Sequence, residues 1–278
     1  MTKEQTRDEA RARGSKARLR RAEIVHLAST SGLASVEQLS ERFGVTASTI
    51  RRDLAKLTGQ GRIARTYGGA MGLNAHPEAS LRQRMGEAYA AKRAIATWCR
   101  QQIVPGEVIL LDAGSTTGAL AGQLQEHEDL TVVSAGMTAV ELLLDSPGVE
   151  VLALGGRLRP MSQAFIGPLA EIALTRVSCD RAFMGTDGVV PGRGICEADL
   201  QQTRLKELMM SRADQVYVLA HGEKVGRAAF HAWAQMPARW TLVTDSSADP
   251  QVLDQFSTAE VEIIIADDVP ESGSQSAS

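Results

Sequence analysis

The chain has 278 residues, 44% apolar and 23% charged, which allows one large or two modest packed domains and excludes a chain disordered throughout. Its net charge of −3 conceals an uneven distribution: residues 1–70 carry 14 Lys and Arg against 7 Asp and Glu, and the other 208 carry 16 against 26. No window reaches 18 uninterrupted apolar residues, the start MTKEQTRDEARARG lacks the apolar run of a signal peptide, and Cys99, Cys179 and Cys196 form no CxxC or Cys/His cluster, so a membrane span, secretion and a disulfide framework are not expected. A basic head on an acidic body implies that only the head meets a polyanion, and a reducing cytoplasm is the expected compartment.

In chain order, residues 1–14 are polar and carry no periodic signal. From Ser15, SKARLRRAEIVHLAST predicts a helix with Leu19, Ala22, Ile24, Leu27 and Ala28 on its apolar face, ended by Gly32. Ser35 caps a second helix, VEQLSERF, with Gln38 as its capping-box partner. Gly44-Val45 then turns the chain into a third helix with Thr46 as N-cap. Its stripe is Ala47, Ile50, Leu54 and Leu57, which leaves Ser48, Arg51, Arg52 and Ala55 on other faces. After Gly61, RIARTYGGA predicts a small hairpin with Arg62 and Arg65 facing outward. Residues 15–70 therefore read as a winged helix-turn-helix domain.

In that motif the second of the paired helices enters the major groove of double-stranded DNA, N-terminal residues first. Ser48 and Arg51 are the candidates for reading base edges. Thr46, Thr49 and Arg52 are assigned to phosphate contact or helix support, and Arg62 or Arg65 to phosphate or the adjacent minor groove. An Arg-Arg pair alone is more often a solvated helix face. The joint pattern of three helices, turn glycine, basic helix and wing favours DNA.

Residues 71–90 read as a linker and the start of a helix that continues through AAKRAIATWCRQQI. Residues 91–268 then alternate short β-rich runs (VILLDAG, LTVVSAG, VEVLALGG, DRAFMGTDG, VYVLAHG, WTLVTD, VEIIIADD) with helical ones (TTGALAGQLQEH, TAVELLLD, ADLQQTRLKELMMSRA, DPQVLDQF). Strands without strict alternation, separated by helices, predict an open, mostly parallel α/β sheet covered on both faces. Residues 269–278 form a compositional tail that is expected to be flexible.

Ligands of such sheets collect at the carboxyl ends of strands. Asp112 ends one predicted strand, and Gly114-Ser115-Thr116-Thr117 leads into a helix whose N-terminus can hold phosphate oxygens. Ser134-Ala135-Gly136, Gly155-Gly156-Arg157 and Gly185-Thr186-Asp187-Gly188 occupy equivalent places. Arg157 and Lys224 are candidate cations for an anionic ligand. Alternatives stand beside each reading: a capped turn for the Gly-Ser-Thr loop, a surface cation for Arg157 or Lys224, and a turn-capping role for Asp187. The five histidines show no ligand spacing, so no metal or cofactor is expected.

Thr49-Ile50-Arg51-Arg52-Asp53-Leu54 and Gly68-Gly69-Ala70 resemble the most specific signatures of the DeoR family of bacterial transcriptional regulators. The resemblance extends over residues 80–268 to that family's effector domain, itself similar to ribose-5-phosphate isomerase. Its motifs fall on the DAGSTT loop, the SAG turn, GGR at 155–157, the GTDG loop, Glu197 and Lys206. It implies a sequence-specific regulator, foremost a repressor of a carbohydrate operon, that binds an operator and a phosphorylated sugar and works as a dimer or tetramer. The family's Asp-Ser-Ser-Lys run is here His221-Gly222-Glu223-Lys224, a departure at the ligand site. An isomerase-like enzyme with a DNA-binding appendage is the alternative. It needs a positioned base, for which Asp112, Asp187 and Glu197 are the acids at predicted loops.

Overall fold

The computed structural model describes residues 17, 19–21, 23–24, 34–59, 63–66, 69–72 and 78–266, with backbone alone at 34–35, 37, 58–59, 63–66 and 69–72. The chain divides into two compact units, one up to Ala79 and the other from Ser80. Arg62 and the tail lie outside the described residues.

The first unit comprises helical residues 17, 19–21 and 23–24 (α1), strand β1 (Ala34–Ser35), helices α2 (Val36–Phe43) and α3 (Ala47–Gly59), and strands β2 (Ile63–Thr66) and β3 (Gly69–Gly72). Ile24, Val36, Leu39, Ile50, Leu54 and Leu57 close its core, so the predicted stripe of α3 faces inward. The turn between α2 and α3 places Gly44 at φ +59°, a left-handed conformation open to glycine at little cost. Ser40 Oγ donates to Val45 O across that turn at 2.5 Å. The wing pairs β2 with β3 antiparallel, and β3 also pairs with β1, a two-residue strand too short to leave a periodic signal in the sequence.

The second unit opens with two helices, α4 (Leu81–Met85) and α5 (Tyr89–Gln102), where the sequence predicts one. The break passes through Ala88 at φ +47°. There follow β4 (Val108–Leu111), α6 (Ser115–Gln123), β5 (Leu130–Ser134), α7 (Met137–Leu143), β6 (Val149–Ala153), β7 (Arg157–Arg159), β8 (Ala164–Ile166), α8 (Pro168–Leu174) and β9 (Cys179–Met184). The remainder is β10 (Gly188–Val190), β11 (Gly194–Glu197), α9 (Leu200–Met210), β12 (Ala213–Leu219), β13 (Ala232–Ala234), β14 (Thr241–Asp245), α10 (Pro250–Thr258) and β15 (Glu262–Ala266).

The main sheet has seven strands in the order β15-β14-β12-β9-β4-β5-β6, every pair parallel. Successive residues of β4 enter opposite cores. Leu110 joins Ala170, Leu205, Met209 and Phe256 of α8, α9 and α10. Ile109 and Leu111 join Ile95, Cys99, Leu120 and Leu143 of α5, α6 and α7. Burial on both faces is why these strands read as apolar runs. The hairpin β7-β8 and the antiparallel sheet β10-β11-β13 are additions that the sequence reading misses, because runs of three or four residues carry almost no periodicity.

Strand order reverses at β4. The chain builds outward through β5 and β6, then returns to lay β9 on the other side of β4. Their carboxyl ends, Asp112 and Gly185–Asp187, flank that switch point, the usual place for a ligand crevice.

Candidate functional site

On the first unit, Ser48, Arg51 and Arg52 are exposed on the first turns of α3. Thr46 Oγ1 lies 2.9 Å from Ser48 Oγ and 3.0 Å from Thr49 Oγ1, and Thr49 N–H reaches it at 3.4 Å, so three hydroxyls gather at the helix start. Of the wing, Arg65 is placed on β2 by its backbone. Asp53, next to Arg52, is absent from the predicted site and is buried. It accepts from Arg20 Nε at 2.7 Å and Arg21 Nη1 at 3.1 Å, tying α3 to α1. Part of the head's positive charge therefore faces inward, while Arg51 and Arg52 of α3 stay exposed. Asp53→Asn is expected to lower the head's unfolding midpoint, because it leaves two partly buried guanidiniums without their counter-charge. Urea unfolding followed by circular dichroism checks this, and an unchanged midpoint would make the pair incidental.

In the second unit, Lys206 of α9 reaches the end of β4. Its Nζ lies 2.6 Å from Asp112 Oδ2, 2.6 Å from Glu197 Oε1 and 2.7 Å from Gly185 O. Gly185 N–H donates to Asp112 Oδ2 at 3.0 Å and Ala113 N–H to Oδ1 at 2.8 Å. Lys206 is 1% exposed, Asp112 2% and Glu197 4%, so one ammonium serves two buried carboxylates. Burial, partly offset by Lys206, pushes the Glu197 carboxyl up to about 8. The surplus negative charge is thus held as a proton on Glu197 at neutral pH. Its Oε1 lies 2.6 Å from Nζ as an ion-pair contact and has no other partner among the described residues.

Around this triad stand further charges. Arg84 Nη1 donates to Asp187 Oδ1 at 2.9 Å, and Lys224 Nζ to Thr186 O at 2.6 Å. Lys92 Nζ caps the end of α4 through Arg84 O at 2.5 Å and Glu87 O at 2.6 Å. Burial, then the competing fields of Asp187 and Arg84, brings Lys224 down to about 8. Burial first, then Lys224 and Lys92, brings His221 down to about 4, so that imidazole is neutral at pH 7. Arg84 and Lys92 went unnoticed in sequence because each sits on a helix far from the strand-end loops it joins.

The predicted hydroxyls divide by environment. Ser115 is partly exposed and lines a cavity of about 350 Å³ together with Leu81, Met85, Lys92, Arg93 and Thr138. Thr116 is buried, and Thr117 Oγ1 donates back to Gly114 O at 3.1 Å. Ser134 Oγ donates to Leu111 O at 3.1 Å and accepts from Gly136 N–H at 3.0 Å, so it shapes the turn. Gly136 is packed so closely that a Cβ there would stand 3.0 Å from Ala113 Cα. Gly156 takes φ +100° beneath the β8–α8 corner. Arg157 is exposed on β7 and donates to Gln201 Oε1 at 2.5 Å, outside the buried cluster. Its separation follows from the hairpin, which carries the chain away from the strand end directly after Gly156.

The run His221-Gly222-Glu223-Lys224 has a steric cause at its second position. A Cβ on Gly222 would fall 2.3 Å from Ser247 Oγ and 2.4 Å from Ala248 N, because the loop after β14 folds over it and Asp245 accepts the Gly222 N–H at 2.7 Å. Gly222→Ser is expected to destabilise the protein by about 1–3 kcal/mol through overpacking. Chemical denaturation measures this, and an unchanged midpoint would mean that the loop retreats freely.

Among the described residues no helix is long and apolar enough to cross a membrane. The chain matches the DeoR-like helix-turn-helix domain over residues 20–75 and the DeoR C terminal sensor domain over residues 87–246. It is 32% identical over 247 residues to the HTH-type transcriptional regulator GlpR of Haloferax volcanii, covering 88% of this chain and 96% of that one. To the lactose phosphotransferase system repressor of Streptococcus mutans it is 28% identical over 234 residues, covering 83% and 92%. Among solved structures, ribose 5-phosphate isomerase A from Methanocaldococcus jannaschii is similar at 17% identity and a TM-score of 0.37, over 49% of this chain and 55% of that one.

Proposed function

Because the chain belongs to the DeoR family of transcriptional regulators, we propose that it represses a carbohydrate-metabolism operon and releases its operator when a phosphorylated sugar binds at the β4–β9 switch point. The observation that carries the ligand class is the set of cations near the strand ends: Arg84 and Lys224 bond the Thr186–Asp187 loop, while Lys92 and Arg93 line the cavity that presents Ser115 at the N-terminus of α6. Cations and a helix N-terminus favour an anion, and the nearby carboxyl groups Asp187 and Glu197 suit its hydroxyls. On the DNA side, Ser48 and Arg51 read bases, Thr46, Thr49 and Arg52 contact phosphate or support the helix, and Arg62 or Arg65 touches phosphate or the adjacent minor groove. The working species is a cytoplasmic homo-oligomer, at least a dimer, since one short recognition helix covers a single half-site.

Binding rather than turnover is the output of the sensor. Asp112 and Glu197 are held by Lys206 and Asp187 by Arg84, so each acid that would serve as a base is already paired with an internal cation. The test is an operator titration at fixed salt, using the duplex that the protein selects from a random-sequence pool and a panel of hexose and pentose phosphates. At least one sugar phosphate is expected to weaken operator binding about tenfold, within the usual range of coupling between sites, and operator must weaken its binding by the same factor. No change with any of the panel, or turnover of one of them, would overturn the reading.

Effector affinity is also expected to fall with alkalinity. An anion stabilises the ammonium form of Lys224, whose free value lies at about 8, so the bound value is higher and a proton is taken up on binding. The affinity gained from that contact is present below about pH 8 and is lost above it, by up to about tenfold per pH unit for one linked proton. Calorimetry at pH 7 and 9 measures it, and a flat profile would remove Lys224 from the contact.

A further inference from the structure

Arg84 lies on α4, the first element of the second unit. It pairs with Asp187 across 103 positions of sequence, and both side chains are about nine-tenths buried, at 11% and 9% exposure. The contact is single, Nη1 to Oδ1. Arg84 Nε and Asp187 Oδ2 are buried with no hydrogen-bond partner. A guanidinium and a carboxylate can join through two parallel bonds, and a buried donor or acceptor without a partner is costly. The pair is therefore an unfinished one, with a donor left open on Arg84 and an acceptor left open on Asp187. A ligand hydroxyl can donate to the open Oδ2 of Asp187.

The helix that carries Arg84 is poised to respond. At five residues α4 is too short to hold itself together and depends on its attachments. These are the Ser80–Gln83 capping box, a bond from Leu81 N–H to Met161 O at 2.8 Å, the Lys92 cap at its end, and the Arg84–Asp187 pair. Beyond it the chain passes through Ala88 in the left-handed region, a conformation that L residues adopt only when their surroundings impose it. Leu81 and Met85 form one wall of the cavity that Ser115 lines, so a ligand in that cavity touches α4 directly.

We propose that the Arg84–Asp187 pair is a latch on α4: made, it holds the DNA-competent conformation, and a hydroxylated anion that engages Asp187 frees Arg84 and shifts the helix at which the chain leaves the sensor toward the head. The proposal rests on the reading of the protein as an effector-relieved repressor, and it assigns Arg84 the role of reporting residue. A ligand without a suitably placed hydroxyl, such as inorganic phosphate, fills the cationic site without opening the latch.

The first arm of the test needs no effector. The duplex selected by the wild-type chain is titrated at fixed salt with Arg84→Met, Asp187→Asn and the double variant. Each single change is expected to lower operator affinity about fivefold or more, the low end of site-to-site coupling, and the double change to lower it no further than the more severe single one, because both break the same contact. Arg84→Lys should recover part of the loss, and hydrogen exchange over residues 81–92 should quicken in the variants but not in the core strands. Asp187→Asn, which keeps the shape of the side chain, retains the test if Arg84→Met fails to fold. Unchanged or raised affinity, or two losses that multiply, would overturn the latch. The two readings separate cleanly. A wild-type chain that selects no duplex sinks both. One that releases its duplex on adding a sugar phosphate, while the variants bind as tightly as the wild type, sinks the latch alone. Inorganic phosphate releasing the wild type as well as a sugar phosphate does would also overturn it.

Discussion

Replacing Lys206 with Met is expected to destabilise the sensor unit by about 3–5 kcal/mol, the cost of removing one partner of a buried ion pair. Lys206 is 1% exposed and holds Asp112, Glu197 and the carbonyl of Gly185 together, so its loss opens the switch point itself. The two carboxyls should not behave alike. Asp112 accepts from Lys206 and two backbone N–H groups, so Asp112→Asn places an amide where three donors converge. Glu197 carries the proton, and Glu197→Gln removes no charge at pH 7 and is expected to cost less than about 1 kcal/mol.

Their pH behaviour separates them further. The Glu197 value rises from 4.5 to about 8 on folding, so the folded chain binds a proton that the unfolded chain has lost, and stability falls as pH rises through that window. Glu197→Gln should flatten this slope and be the more stable protein above pH 8. Urea unfolding of the three variants and the wild type at pH 5, 7 and 8.5 measures both effects. Equal destabilisation by Glu197→Gln and Asp112→Asn at pH 7 would sink the assignment of the proton.

The second large effect is on DNA. Arg51→Ala is expected to lose about 1–3 kcal/mol of discrimination per half-site, doubled where two heads read two half-sites. Arg51 is exposed on the first turns of α3, whereas its neighbours Ile50 and Asp53 are buried against the core and α1. Truncating it leaves the fold of the head intact while removing a bidentate donor. Titration of operator and random duplex at one salt concentration separates the roles. A loss confined to operator assigns Arg51 to base edges, and equal loss on both reassigns it to phosphate. Arg52→Ala should weaken both duplexes evenly.

Much of this was written in local patterns. The 3.6-residue recurrence of Ile50, Leu54 and Leu57 determines which face of α3 is core, and by subtraction that Ser48, Arg51 and Arg52 face outward. The apolar runs from VILLDAG to VEIIIADD determine seven strands, and their lack of alternation determines that helices cover both faces. The strand-end loops follow from the same pattern, because each strand stops where glycine, hydroxyl and acid replace the apolar run. These features need neighbours only a few residues away, and such neighbours are what a sequence displays.

The tertiary structure alone decided which polar groups meet. Asp112 finds Lys206 across 94 positions, Asp187 finds Arg84 across 103, and Asp53 finds Arg20 across 33. It also decided which hydroxyls remain open: Ser134 and Thr117 look like Ser115 in sequence, yet the tight turns after β5 and β4 direct them to backbone carbonyls. Strand order sets these pairings. Laying β9 beside β4 rather than beside β6 brings Gly185 onto Asp112, and α9 then delivers Lys206 from above. A one-dimensional pattern records that a residue is charged and which face it shares, whereas its partner depends on how distant elements are ordered, which is a property of the packed core.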